Sequence, residues 1–174
     1  MAHELLRSKS EFRTSLDYED LRRGTTRFLH SQFSFMKNYE LIEHTADIGI
    51  RVEGRDLKEL FKNTALAMFD IIAEKVADKK PPRIEKFLIK QKADNLEELF
   101  VNWLNELLSL SATKEKIFCD FKFEKLDEQN LEAEVFGCDI KNYKINTEIK
   151  AATYHELKLE KANSGWQVEV ILDV

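Results

Sequence analysis

Two segments carry apolar residues at the three- and four-residue spacing of a helix. Leu57, Leu60, Phe61, Ala65, Met68, Phe69 and Ile72 line one face of the first. Leu96, Leu99, Phe100, Trp103, Leu104, Leu107 and Leu108 line one face of the second. Each opens on an acidic residue followed three positions later by glutamate, Asp56 with Glu59 and Asp94 with Glu97, an acidic variant of the capping box. Gly54 breaks the chain before the first. Elsewhere the period shortens to two. Residues 39–43 and 48–53 read as strands around a break at 44–47, and a further strand at 83–92 follows Pro81-Pro82. Residues 117–126 pair with 131–136 across Asp127-Glu128-Gln129-Asn130, and 147–159 with 166–172 form a closing hairpin through Asn163-Ser164-Gly165. In the long strand 147–159, alternation sets Lys150, Ala152, Tyr154 and Glu156 on one face and Ala151, Thr153 and His155 on the other. One-sided helices need an apolar surface to cover. The pattern therefore predicts an α+β fold, a two-layer sandwich in which a mainly antiparallel sheet carries the two amphipathic helices on one face.

Residues 1–35 lack this order. Their apolar positions keep no sustained period, and Gly24-Thr25-Thr26 interrupts any helix through Leu21 to Phe28. We expect an N-terminal extension outside the core, either disordered or a leader upstream of a start at Met36, with the domain proper at 36–174. Glu4, Glu11, Asp17, Glu19 and Asp20 argue against a mitochondrial presequence, which is basic and poor in acids. At 174 residues, the length suits one domain with such an appendage. No run approaches the roughly 18 uninterrupted apolar residues of a membrane span, so a soluble, cytoplasmic chain is expected.

Charge narrows the partners. The chain has 27 basic and 32 acidic residues, a net charge of −5, whereas a domain that grips a nucleic-acid backbone unaided carries a basic excess. Autonomous nucleic-acid binding is not expected. Cys119 and Cys138 lie far beyond a C-x-x-C interval and, with four scattered histidines, make no zinc framework. They read as reduced, buried and inert thiols.

Two polar clusters could carry chemistry. Glu43-His44-Thr45-Ala46-Asp47 offers acid, imidazole and hydroxyl between two strands, and equally suits a turn, since Thr and Asp bond nearby backbone amides. At the other end, Asp173 and the terminal carboxylate of Val174 follow an apolar strand. If that strand lay beside Asp47, three carboxylates would converge, and their repulsion would call for a cation that prefers hard oxygen, such as Ca2+ or Mg2+. No phosphate-binding glycine loop and no G-x-S-x-G nucleophile elbow occurs.

The stretch Tyr39-Glu40-Leu41-Ile42-Glu43-His44-Thr45-Ala46-Asp47-Ile48-Gly49-Ile50 before an amphipathic helix, with Lys150-Ala151-Ala152-Thr153-Tyr154-His155 and the ending Ile171-Leu172-Asp173-Val174, resembles the archease family over 36–174. The resemblance implies a protein cofactor rather than an enzyme. Its partner would be the RNA-splicing ligase that joins tRNA halves, and its action would be to promote guanylylation and multiple turnover of that ligase in tRNA splicing and RNA repair. It also implies a metal site at Asp47, Asp173 and Val174, with Ca2+ as the expected ion and Mg2+ or Mn2+ as alternatives. His44 and Lys150 fall in family-like motifs as secondary or partner contacts. Two other classes compete: a standalone divalent-metal phosphohydrolase, which would turn over alone, and a general protein chaperone, which would suppress aggregation of unrelated proteins.

Overall fold

The computed structural model describes residues 39–42, 47–76, 83–162 and 165–174. The expected extension at 1–35, His44, the Pro81-Pro82 break and the Asn163-Ser164 turn lie outside the described residues. Both expected helices are present. Helix α1 (Leu57–Ile72) starts at Asp56, whose carboxylate accepts the Glu59 amide at 2.8 Å, while the Glu59 carboxylate accepts the Arg55 amide at 2.7 Å. This reciprocal cap satisfies two amides that the first turn would otherwise leave bare. Helix α2 (Leu96–Lys114) is capped one position later than the sequence suggested. Asn95, not Asp94, accepts the Glu98 amide at 2.9 Å, and Glu98, not Glu97, closes back on Asp94 N. Both Asp94 and Asn95 are good caps, and the helix phase that buries Leu99, Phe100, Trp103, Leu104 and Leu107 selects the second.

The strands divide among three ladders where one sheet was expected. The first joins β1 (Tyr39–Ile42), β2 (Ile48–Gly54), β8 (Ala151–Ala152), β9 (Lys158–Ala162) and β10 (Gly165–Asp173), in the order β1-β2-β10-β8 with β9 also on β10. The second joins β4 (Ile84–Lys92), β5 (Lys116–Leu126) and β6 (Asn130–Asp139), with β6 central. A short ladder joins β3 (Ala73–Lys75) to β7 (Tyr143–Ile145). All pairings are antiparallel. The expected strand 147–159 is broken: Tyr154 to Leu157 forms a turn, with Leu157 N donating to Tyr154 O at 3.2 Å and Glu156 at a φ of 51°. The face assignment beyond Thr153 therefore fails.

Both helices pack against strands of the two larger sheets. Trp103 is fully buried; its ring meets Phe121 and Phe123, and its indole N–H donates to Phe61 O at 3.3 Å. Phe61 in turn meets Phe100 edge to face at 5.0 Å. On the outer face of the five-stranded sheet, Arg51 bridges Glu40 of β1 and Glu169 of β10, and Lys158 of β9 also binds Glu169, so one charge network crosses four strands. No described helix is long and apolar enough to cross a membrane.

Candidate functional site

The pairing of β2 with β10 brings the described ends of the two sequence clusters to one end of a ladder. Its register runs from Trp166 opposite Gly54 to Leu172 opposite Ile48. Asp47, the residue before Ile48, and Asp173, the residue after Leu172, lie at this end of the ladder, Asp47 in a bend outside β2. Ile48, Ile50, Val52, Val168, Val170 and Leu172 form the core side of these strands, with Ile50, Val52, Val168, Val170 and Leu172 fully buried. Alternation then places Asp173, the last residue of β10, on the opposite face, the one that carries Arg51 and Glu169. Both aspartates are half-buried.

Lys150 and Val174 extend the β8–β10 ladder past Asp173, which pairs with Ala151. Lys150 N donates to Asp173 O at 2.8 Å, and the Lys150 ammonium donates to Val174 O at 2.8 Å. Lys150 thus grips the chain end twice, through backbone and side chain. Sequence reasoning placed it only in a motif; its position opposite Val174 supplies a concrete role. His44 lies outside the described residues, so nothing is said of its placement.

The donors suit a hard cation in kind: carboxylate oxygens on Asp47 and Asp173 and a main-chain carboxylate at Val174. Among the described residues no group of three or more His, Cys, Asp or Glu gathers that could hold a metal. This end of the sheet offers two such side chains, and the third member of the expected set is main chain. Lys150 places one positive charge beside it, which partly offsets carboxylate repulsion.

A residue that the sequence reading missed positions the neighbouring strand. Asn105 of α2 makes a reciprocal pair of hydrogen bonds with the backbone of Ala152, the residue opposite Leu172 in β10. The signal was an asparagine on the flank of an otherwise apolar helical stripe. Asn105 also borders a polar pocket of about 360 Å³ with Gln91, Lys92, Asn102 and Glu106.

Comparison with known proteins fits this arrangement. The model of the Archease protein family matches residues 39–174. The chain is 38% identical over 144 residues to protein archease of Methanosarcina barkeri, covering 79% of this chain and 97% of that protein. It is 37% identical over 147 residues to protein archease of Pyrococcus abyssi, covering 80% and 100%. The solution structure of a Methanobacterium thermoautotrophicum protein superposes with a TM-score of 0.60 at 30% identity, covering 80% of this chain and 100% of that one. An archease and possible chaperone from Thermotoga maritima gives 0.53 at 25% identity, covering 78% and 96%. With its two helices, antiparallel sheets and matched ends, the chain belongs to the archease family.

Proposed function

We propose that this chain is an activator of the RNA-splicing ligase, a cytoplasmic protein cofactor that promotes guanylylation and multiple turnover of the ligase in tRNA splicing and RNA repair. Family membership supports this reading, and the single observation that supports particular residues is the β2–β10 pairing, at one end of which both Asp47 and Asp173 lie. In this reading Asp47, Asp173 and Val174 hold a divalent cation, Ca2+ in the first instance. The bound ion supplies positive charge against nucleotide phosphates at the ligase surface. Lys150 holds the chain end in place through Val174 O and Asp173 O. Both aspartates are half-buried at one end of the sheet, which supports their use where a partner would dock. The acidic balance of the chain fits an activator that leaves RNA contact to the ligase.

The test adds purified protein to its cognate ligase with GTP and divalent metal and follows ligase guanylylation and RNA joining over several turnovers. Stimulation is expected from the wild type, and strong loss from Asp47→Ala and Asp173→Ala with thermal midpoints close to wild type. Full stimulation by both variants would overturn the role of the site. Phosphate release by the isolated chain would favour the phosphohydrolase instead.

A further inference from the structure

Cys119 and Cys138 are 19 positions apart in sequence, yet their sulfurs lie 3.9 Å apart across β5 and β6. Both are free thiols. The geometry is unusual for packing residues. The β5–β6 register shifts between Phe118 and Asp120, so Cys119 is the extra residue of a bulge, and its thiol donates to Phe136 O at 3.5 Å. A bulged residue is released from the ladder and can re-aim its side chain without breaking a strand pair. Cys138 is 2% exposed, while Cys119 is half-buried and forms the accessible side of the pair. Tyr143 stands beside Cys138, with Lys75 and Lys116 near enough to act on its charge. Hydrogen bonds from the Cys119 thiol and from the Tyr143 hydroxyl, with those two cations, bring Cys138 down to about 7, against burial. The same contact and burial push Cys119 up. A thiol that ionises more readily is thus in contact with one that ionises less readily, the arrangement that thiol–disulfide chemistry requires.

We propose that Cys119 and Cys138 form a reversible dithiol–disulfide pair that accepts oxidising equivalents from a small peroxide. The Cys138 thiolate attacks one peroxide oxygen, the O–O bond breaks, and the departing hydroxide is protonated to water, leaving Cys138 as a sulfenic acid. Cys119 sulfur then attacks Cys138 sulfur. The S–S bond forms, the S–O bond breaks, and the oxygen leaves as a second water with the Cys119 proton. Two thiols are oxidised by two electrons and one peroxide is reduced. The sulfurs must close from 3.9 Å to about 2.05 Å. Oxidation would pin the bulge next to Asp120, whose carboxylate binds Lys62 of α1 at 2.6 Å.

The chain has only two cysteines, so the outcome is unambiguous. The reduced full-length protein is treated with hydrogen peroxide in the presence of a chelator, then denatured for thiol counting, intact mass and a non-reducing gel. The expected result is paired loss of both thiols, a mass lower by two hydrogens, a monomer on the gel, and full recovery with dithiothreitol. Cys119→Ser should stop at a Cys138 sulfenic acid that dimedone traps, and Cys138→Ser should leave Cys119 unmodified. Survival of one wild-type thiol beside an oxygenated partner, disulfide-linked dimers, or persistence of both thiols would each overturn the proposal. The wild-type thiol count decides even if a variant does not fold.

Discussion

Asn105 acts as a strand for Ala152. Its side-chain amide donates to Ala152 O at 3.0 Å and its side-chain carbonyl accepts Ala152 N at 2.8 Å, the two bonds that a neighbouring strand would provide. β8 has only two residues, paired with β10 on one edge, so the helix supplies the other edge. Asn105→Leu leaves a buried donor and acceptor without partners and should cost about 1–3 kcal/mol in urea unfolding. Asn105→Asp keeps the acceptor but turns a second carboxylate oxygen toward Ala152 O, and should be destabilised as well. Equal stability of both variants with wild type would remove the clamp from the account.

The chain end offers a second test. A Gly-Ser extension after Val174 replaces the terminal carboxylate by a neutral amide while leaving Asp47, Asp173 and the Lys150 contact to Val174 O formally intact. In the proposed site this removes one anionic donor. Ca2+ binding, followed by titration calorimetry, should weaken by at least about tenfold, given that even groups behind the ligands contribute roughly that much. Unchanged affinity would exclude the terminal carboxylate from the site.

Gly54 joins β2 to α1 with no room for a side chain. A Cβ there would sit 2.3 Å from Leu60 N, in the first turns of the helix, and neither backbone can move without disturbing the β2–β10 register. Gly54→Ala should therefore cost about 1–3 kcal/mol, read from the thermal or urea midpoint. Gly165, next to the facing residue Trp166, has a φ of 151° and would place a Cβ 2.2 Å from Gly54 O, so it has no room for a side chain either.

Asp127 organises the β5–β6 turn. Its carboxylate accepts from the Asn130 side chain and from the amides of Gln129 and Asn130, which hold it down to about 2 from 3.8. Because the folded value is lower than the unfolded one, its contribution to stability is present above about pH 4 and is lost as pH falls through about 2. Wild type should exceed Asp127→Ala in stability by a constant margin from neutral pH to about pH 5, with the two curves drawing together below pH 4. A margin that stays constant down to pH 2 would show that the carboxylate charge is not involved.

How far the sequence could carry these conclusions depends on the range of the interaction. The helices were legible because each shows a stripe of seven apolar residues over about three and a half turns or more. The β3–β7 ladder was not, since strands of three residues are too short to show alternation. The strand expected at 147–159 was overextended because its alternating pattern passes unbroken through Tyr154 to Leu157, where no glycine or proline announces the turn and Glu156 adopts the left-handed conformation. Asp47 and Asp173 were each identifiable from their local stretch, but that both lie at one end of a ladder depends on a strand pairing across more than a hundred residues. The two cysteines are a different case. The expected hairpin through 127–130 already brought their strands together; treating them by sequence interval hid a contact that counting back from the turn would have suggested, and the bulges that perfect it were beyond reach.

The order of the strands has a bearing on how the protein is made. β10, the last strand of the five-stranded sheet to be synthesised, is also its most connected, pairing with β2, β8 and β9. The early strands β1 and β2 must therefore wait beside an open seam of Ile48, Ile50 and Val52 until β10 emerges to fill it. A chain cut short before Gly165 would keep that seam exposed, a natural mark for degradation or aggregation. Closure of the five-stranded sheet therefore waits for β10, and with it the joining of strands that lie more than a hundred residues apart.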